Sequence, residues 1–300
     1  MKQTKSDPTG QRANRARTSK RLWARLQKAQ VEVISLFRAI PKKRRTYTVN
    51  EQKPVYDYDL TPEQTEILNN KIRQILNDVL LETQGDTMPM GWWYKGEVEL
   101  PVRQATLEEL NEFNRLIALA ILAGMMGRGG MEPQRIAPEV VLSSPKYLAE
   151  LRNVYIENFQ VIKSLSNTTA AQVIQKINSG IRAGLTPTEI SKSIKQRFDV
   201  SKSNADRIAR TEVNRAYTDS KIRATKTAGE ISGFKPMVRH ISALLPDRTR
   251  KHHAARHYKV YTIDEQNYWW NFENGGTNRL NCLCSIRTVI IDNDGNYIES

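Results

Sequence analysis

The chain is predicted to be α+β and predominantly helical, with a helical N-terminal body followed by a small C-terminal unit carrying a few β-strands. Three observations predict this. Apolar residues recur at spacings of three and four along most of the chain up to Gly229. Helix-start signatures punctuate that stretch at Thr61-Pro62, Ser144-Pro145 and Thr186-Pro187. Runs rich in β-branched residues appear only afterwards, in 237–243 and 285–291.

Residues 1–20 are polar, rich in Arg, Lys, Ser and Thr, and are expected to be disordered when free. A helix is expected from about Thr18, because Leu22, Leu26, Ala29, Val33, Leu36, Phe37 and Ile40 fall on one stripe. Arg21, Arg25 and Lys28 flank the stripe, and Pro41 ends it. Thr61 with Gln64 reads as a capping box for a helix reaching about Thr83. Gly85 to Gly96 reads as a loop, its Met88, Met90, Trp92, Trp93 and Tyr94 suited to core packing. Thr106 with Glu109 reads as the cap of a helix to about Met126, closed by Gly127-Arg-Gly-Gly130. Further helices are expected from Pro145 to about Ser164, over 168–183, over 187–198, and from Ser201 to about Ala228. Strands are expected at 237–243 and 285–291, with a weaker one at 260–263. In chain order this divides into a basic arm (1–45), a helical body (46–165) and a C-terminal domain (166–300).

Charge is unevenly spread. Residues 1–50 hold 14 Lys and Arg against Asp7 and Glu32, a net of +12, whereas the other 250 residues hold 32 basic against 30 acidic. A cationic arm suits a polyanion, so Arg12, Arg15, Arg17, Lys20, Arg21, Arg25, Lys42, Lys43, Arg44 and Arg45 are the candidate contacts to DNA or an acidic partner. The longest apolar run, Leu116 to Met126, is too short for a membrane span. The first residues hold no apolar signal region. The two cysteines, one residue apart, are poorly placed to bridge each other and fit a reducing cytoplasm.

All four histidines and both cysteines lie between His240 and Cys284. His253 and His257 are four apart, which places both on one face if that stretch is helical. Cys282 and Cys284 are two apart and share a face if they lie on a strand. These four form a candidate tetrahedral Zn²⁺ set, alongside a reading in which the thiols are core residues and the histidines cap a polar turn. A second constellation, Arg207, Arg210, Glu212, Asn214, Arg215 and Tyr217, is expected to form a hydrogen-bond and ion-pair lattice pinning its helix to the C-terminal strands.

The Arg207–Tyr217 segment, the turn Asp247-Arg248-Thr249-Arg250, and then His253, His257 and Asn281-Cys-Leu-Cys284 together resemble the phage Mu F-like head-morphogenesis family of minor capsid proteins. The resemblance covers roughly residues 165–292. Arg279, Leu280 and Leu283 stand where the family often has His, Pro and Arg. What the resemblance implies is a minor head protein of a tailed phage, acting at the portal or major capsid protein and on packaged double-stranded DNA without sequence specificity. It implies a place in the virion head or neck interior, after assembly in the host cytoplasm. Binding rather than turnover is expected, with structural Zn²⁺ as a possible cofactor. The alternative is a metal-dependent hydrolase or nuclease on the His/Cys cluster, with Asp247 or Glu212 as acid/base.

Overall fold

The computed structural model describes residues 7–44, 55–82, 89–125, 134–246, 248–291 and 297–298. The expectations for Arg45, for residues 85–88, for the Gly127–Gly130 turn and for Asp247 lie outside the described residues. Predominantly helical α+β architecture is borne out: long helices precede a small antiparallel sheet.

The chain divides into two compact units. One gathers Met1–Arg17, Trp93–Tyr155 and Ala209–Ser300, and the other Thr18–Trp92 and Ile156–Ile208. The expected division into consecutive segments therefore does not match the units. Three long helices, α1 (Arg12–Arg38), α6 (Pro145–Arg182) and α7 (Pro187–Ser232), contribute residues to both.

In the unit built from Thr18–Trp92 and Ile156–Ile208, the predicted stripe of α1 is buried: Leu22, Leu26, Ala29 and Val33 are inaccessible and Phe37 nearly so. Short strands β1 (Lys42–Arg44) and β2 (Tyr56–Tyr58) pair antiparallel, Lys42 opposite Tyr58. Helix α2 (Pro62–Leu81) starts with the expected capping box between Thr61 and Gln64 and buries Leu68, Ile72, Leu76 and Leu80. Helix α6 ends where Gly184 takes φ +62°, a left-handed conformation that costs a non-glycine residue energy. A Cβ there would also meet Val55 Cγ1 at 2.6 Å, and the Gly184 carbonyl accepts from the Tyr56 N–H at 3.0 Å.

The other unit holds the site. It contains α3 (Gly91–Trp93) from its last residue, a π-helical turn (Tyr94–Glu99), α4 (Leu100–Leu122), α5 (Pro138–Leu142) and the C-terminal half of α7. It also contains a four-stranded antiparallel sheet of β3 (Pro236–Ile241), β4 (Val260–Tyr261), β5 (Ser285–Ile291) and β6 (Tyr297–Ile298), in the order β4-β3-β5-β6. The predicted strands are all present: 285–291 has the expected bounds, while the others end two residues early, at Ile241 and Tyr261. A short helical turn, α8 (Lys251–Ala254), and a longer helix, α9 (Ile263–Asn271), lie between strands. One apolar cluster joins Phe113, Leu116, Ala224, Phe234 and Ile290, and another joins Ile222, Val238, Trp269, Trp270, Cys284 and Ile286.

Several boundaries differ from expectation for local reasons. Helix α1 begins at Arg12, not Thr18, because the carboxylate of Asp7 accepts the Arg12 N–H at 2.8 Å and caps it. Residues 7–20 are therefore structured, and Asn14, Arg15 and Thr18 are buried. Thr106 caps nothing: α4 runs through it, and its hydroxyl donates to the Val102 carbonyl at 2.9 Å. Glu109, fully buried, pairs instead with Lys221 at 3.0 Å and accepts the hydroxyls of Thr225 and Thr288. The pairs of helices expected over 145–183 and 187–228 are each one continuous helix. Ser201 does not break α7, because its hydroxyl donates back to the Arg197 carbonyl.

Gly184→Ala is expected to cost about 1–2 kcal/mol, from left-handed strain plus displacement of Val55. Urea unfolding of the variant against the native chain measures it, and an unchanged midpoint would contradict the geometry.

Candidate functional site: a Cys/His cluster clasped by one helix

Strand β5 is preceded by Asn281-Cys-Leu-Cys284, which lies outside any strand. Asn281 takes φ +56°, a conformation asparagine tolerates better than most residues. The Cys282 N–H donates to the Arg279 carbonyl at 3.2 Å, and the Cys284 N–H donates to Cys282 Sγ at 3.3 Å. The chain thus folds around the first sulfur, so both thiols face one point without strand geometry.

Helix α7 holds this turn. Thr211 Oγ1 accepts the Asn281 N–H at 3.0 Å. Asn214 Nδ2 donates to the carbonyls of Cys282 at 2.9 Å and Cys284 at 3.4 Å, while its Oδ1 accepts from Arg15 at 3.1 Å. Arg15 also pairs with Asp7 at 2.9 Å, and burial lowers its pKa against the opposing pull of that carboxylate. Of the residues expected to pin the helix to the C-terminal strands, Asn214 bonds to the turn that precedes β5. Tyr217 donates to Glu108, and Arg215 pairs with Asp219 at 3.6 Å. Glu212 is buried in α7 and does not line the cavity described below. Arg207 is exposed on α7 in the other unit.

The facing wall is the turn before α8. Thr249 Oγ1 accepts the Leu245 N–H at 2.8 Å and donates to the Ala243 carbonyl at 2.9 Å, tightening the turn. Arg250 donates to the carbonyls of Thr277, Asn278 and Leu280 at 2.8, 3.1 and 2.9 Å. One guanidinium thereby ties this turn to the segment leading into the cysteines. Sequence reasoning did not single out Arg250 for this role. Its position beside the Asp-Arg-Thr turn was a signal, but its three acceptors are backbone groups with no identity to read.

Helix α8 places His253 against the thiols, its Nδ1 3.4 Å from Cys284 Sγ and 3.6 Å from Cys282 Sγ. The ring is 2% exposed and is packed between His252 and Trp269, whose centroids lie 4.7 and 4.8 Å away. His253, Cys282 and Cys284 thus present three ligand atoms within 4.8 Å of one another. His257, predicted as the fourth, is not in this group. Helix α8 ends at Ala254, so the four-residue spacing no longer places both rings on one face. His257 Nδ1 instead accepts the Ser242 N–H at 3.1 Å, and burial lowers its pKa.

Both cysteines are free thiols. The two share a proton unequally. Hydrogen bonding from Cys284 pulls the Cys282 pKa well below the usual thiol value, with His253 adding to the effect. Retaining that proton, together with burial, pushes Cys284 well above it. Beside the cluster lies a cavity of about 220 Å³, lined by His253, both cysteines, Asn281, Arg210, Arg248 and Arg250 among others.

Arg279, where the family often has His, is buried. It pairs with Asp219, donates to Thr218 at 2.7 Å and lies over the Trp270 ring at 4.4 Å. It therefore braces the turn and supplies no metal ligand. The candidate DNA contacts divide likewise. Arg15 is buried in the lattice. Arg21 donates to the Trp92 carbonyl at 2.7 Å, and Arg25 donates to the Val79 carbonyl, pairs with Glu82 and stacks over Trp92. Lys42 donates to the carbonyls of Arg38 and Ile40, and Arg17 to Asn14 and the Gly96 carbonyl. Several of these basic residues thus bond within their own unit. Arg12, Lys20, Lys43 and Arg44 are exposed.

Residues 171–287 match the family model described as Phage Mu protein F like protein, so over that stretch the chain is similar to that family. The match contains the helix, the turn and both cysteines. No curated protein and no solved structure matches the chain.

Asn214→Ala leaves two carbonyls and a buried guanidinium short of a partner and is expected to destabilise this unit by about 1–3 kcal/mol. Chemical denaturation followed by Trp fluorescence reads the loss. His240, wholly buried on β3 beside Gln266, has its pKa pushed down to about 3 by burial. Its folded-state value lies below the unfolded one, so the stability it contributes is complete above about pH 6.5 and falls as pH drops towards 3. The native chain should lose up to about 1.4 kcal/mol per pH unit from this group in that window. His240→Gln should flatten that part of the profile, and parallel profiles for the two chains would refute the assignment.

Proposed function

We propose that the protein is a minor head protein of a tailed phage, acting by binding at the portal or capsid interior and to packaged double-stranded DNA. The observation that carries this reading is the Phage Mu protein F like match over residues 171–287. That stretch includes the α7 lattice and the Cys-Leu-Cys turn, the parts that give the C-terminal region its shape. Among the described residues no helix is long and apolar enough to cross a membrane.

The DNA part of the reading rests on charge. The chain carries a formal +14, concentrated in its first 50 residues. Exposed Arg12, Lys20, Lys43 and Arg44 are the cations best suited to phosphate, because they lie on the surface and carry sequence-independent attraction.

Replacing Arg12, Lys20, Lys43 and Arg44 by Gln keeps α1 and its buried stripe intact. The variant is expected to bind duplex DNA more weakly and with a shallower dependence of log K on log salt, by about 0.9 for each phosphate no longer neutralised. Filter binding between low and moderate salt measures both. Equal affinity and slope would remove DNA from the proposed function. Recovery of the protein with purified heads and its co-purification with portal protein test the assembly role separately.

A further inference from the structure

We propose that His253, Cys282 and Cys284 bind one Zn²⁺ ion, with the fourth coordination position facing the adjoining cavity and taking water or a small anion. The site rests on local geometry and stands whether or not the protein acts in a phage head.

The distances fit the ion. Zn–N near 2.0–2.1 Å and Zn–S near 2.3 Å in a tetrahedron place N and S about 3.5 Å apart. His253 Nδ1 lies 3.4 and 3.6 Å from the two sulfurs. Two thiolates and an imidazole suit Zn²⁺, whereas Mg²⁺ and Ca²⁺ prefer oxygen. The Cys284 N–H already points at Cys282 Sγ, which supports a sulfur carrying negative charge. The backbone carbonyls of both cysteines are held by Asn214, so the sulfurs are positioned before the ion arrives. Ring packing against His252 and Trp269 fixes the imidazole in the same way.

The fourth position follows from the cavity. All three ligand residues line it, and its wall carries Arg210, Arg248 and Arg250. Three protein ligands with an accessible face make an open site, and neighbouring guanidinium groups favour an anion there. His257 is excluded as a ligand because its Nδ1 accepts the Ser242 N–H. Each thiol that binds as thiolate releases its proton, so metal uptake weakens as pH falls.

The full-length chain, purified without chelator and supplied with Zn²⁺, should carry about one ion per chain by elemental analysis. His253→Ala, Cys282→Ser and Cys284→Ser should lose it, and His257→Ala should keep it. Cobalt in place of zinc should show a thiolate-to-metal charge-transfer band that shifts when azide is added. Should the cysteine variants fail to fold, the native chain decides: Zn²⁺ should protect both thiols from a thiol reagent, and chelation should expose them. A folded native chain with no bound metal and no protection overturns the site. Loss of metal in His257→Ala as complete as in His253→Ala overturns the ligand assignment. A cobalt spectrum indifferent to azide overturns the open position.

Discussion

Asn214 makes the interaction on which the C-terminal architecture depends. One amide donates to the carbonyls of Cys282 and Cys284 and accepts from Arg15. A turn preceding a strand has backbone groups that the sheet does not satisfy, and burying them unpaired would be costly. An asparagine on a helix answers that problem with a donor pair and an acceptor in fixed geometry. Because the carbonyls held belong to the cysteines, the bond also sets where the sulfurs point. Position, rather than any chemistry of its own, is what the amide contributes.

The same economy explains the N-terminal helix. A net of +12 over the first 50 residues looks like a solvated arm. Yet Arg15, Arg21 and Arg25 bond to a carboxylate, to carbonyls and to an indole face within their own units. Arginine can do this because its planar guanidinium donates in several directions while its stem packs on apolar surface. Net charge counts such residues as free, whereas their geometry places them inside the structure. The exposed positive surface is therefore smaller than the composition suggests.

Helix starts with a local chemical signature were legible: the Thr61–Gln64 box, Thr186 before Pro187, and the burial of the Leu22–Phe37 stripe. Where a hydroxyl could serve either as a cap or as a back-bonded interior residue, local sequence did not decide. Thr106 and Ser201 both turned inward to a carbonyl one turn earlier, leaving α4 and α7 unbroken. Asp7 was the reverse case, a cap well ahead of the expected start. In the site, the grouping of His253 with both cysteines was legible from their clustering. The removal of His257 was not, because it depends on where α8 stops and on a backbone N–H fifteen residues earlier.

The sequence by itself determined the fold class, the helical stripes, the strand segments and the presence of a Cys/His cluster. Each of these follows from periodicity, β-branching or residue spacing, which are properties of short stretches of chain. Only the tertiary structure decided which cations are exposed, which histidine meets the thiols, and that Glu109 is a buried partner of Lys221 rather than a cap. Those outcomes depend on pairings between residues well separated in sequence, from fifteen apart for Ser242 and His257 to 199 for Arg15 and Asn214. Burial makes an unpaired polar group expensive, so the partners that packing brings together, and not the residue types alone, fix each group's role.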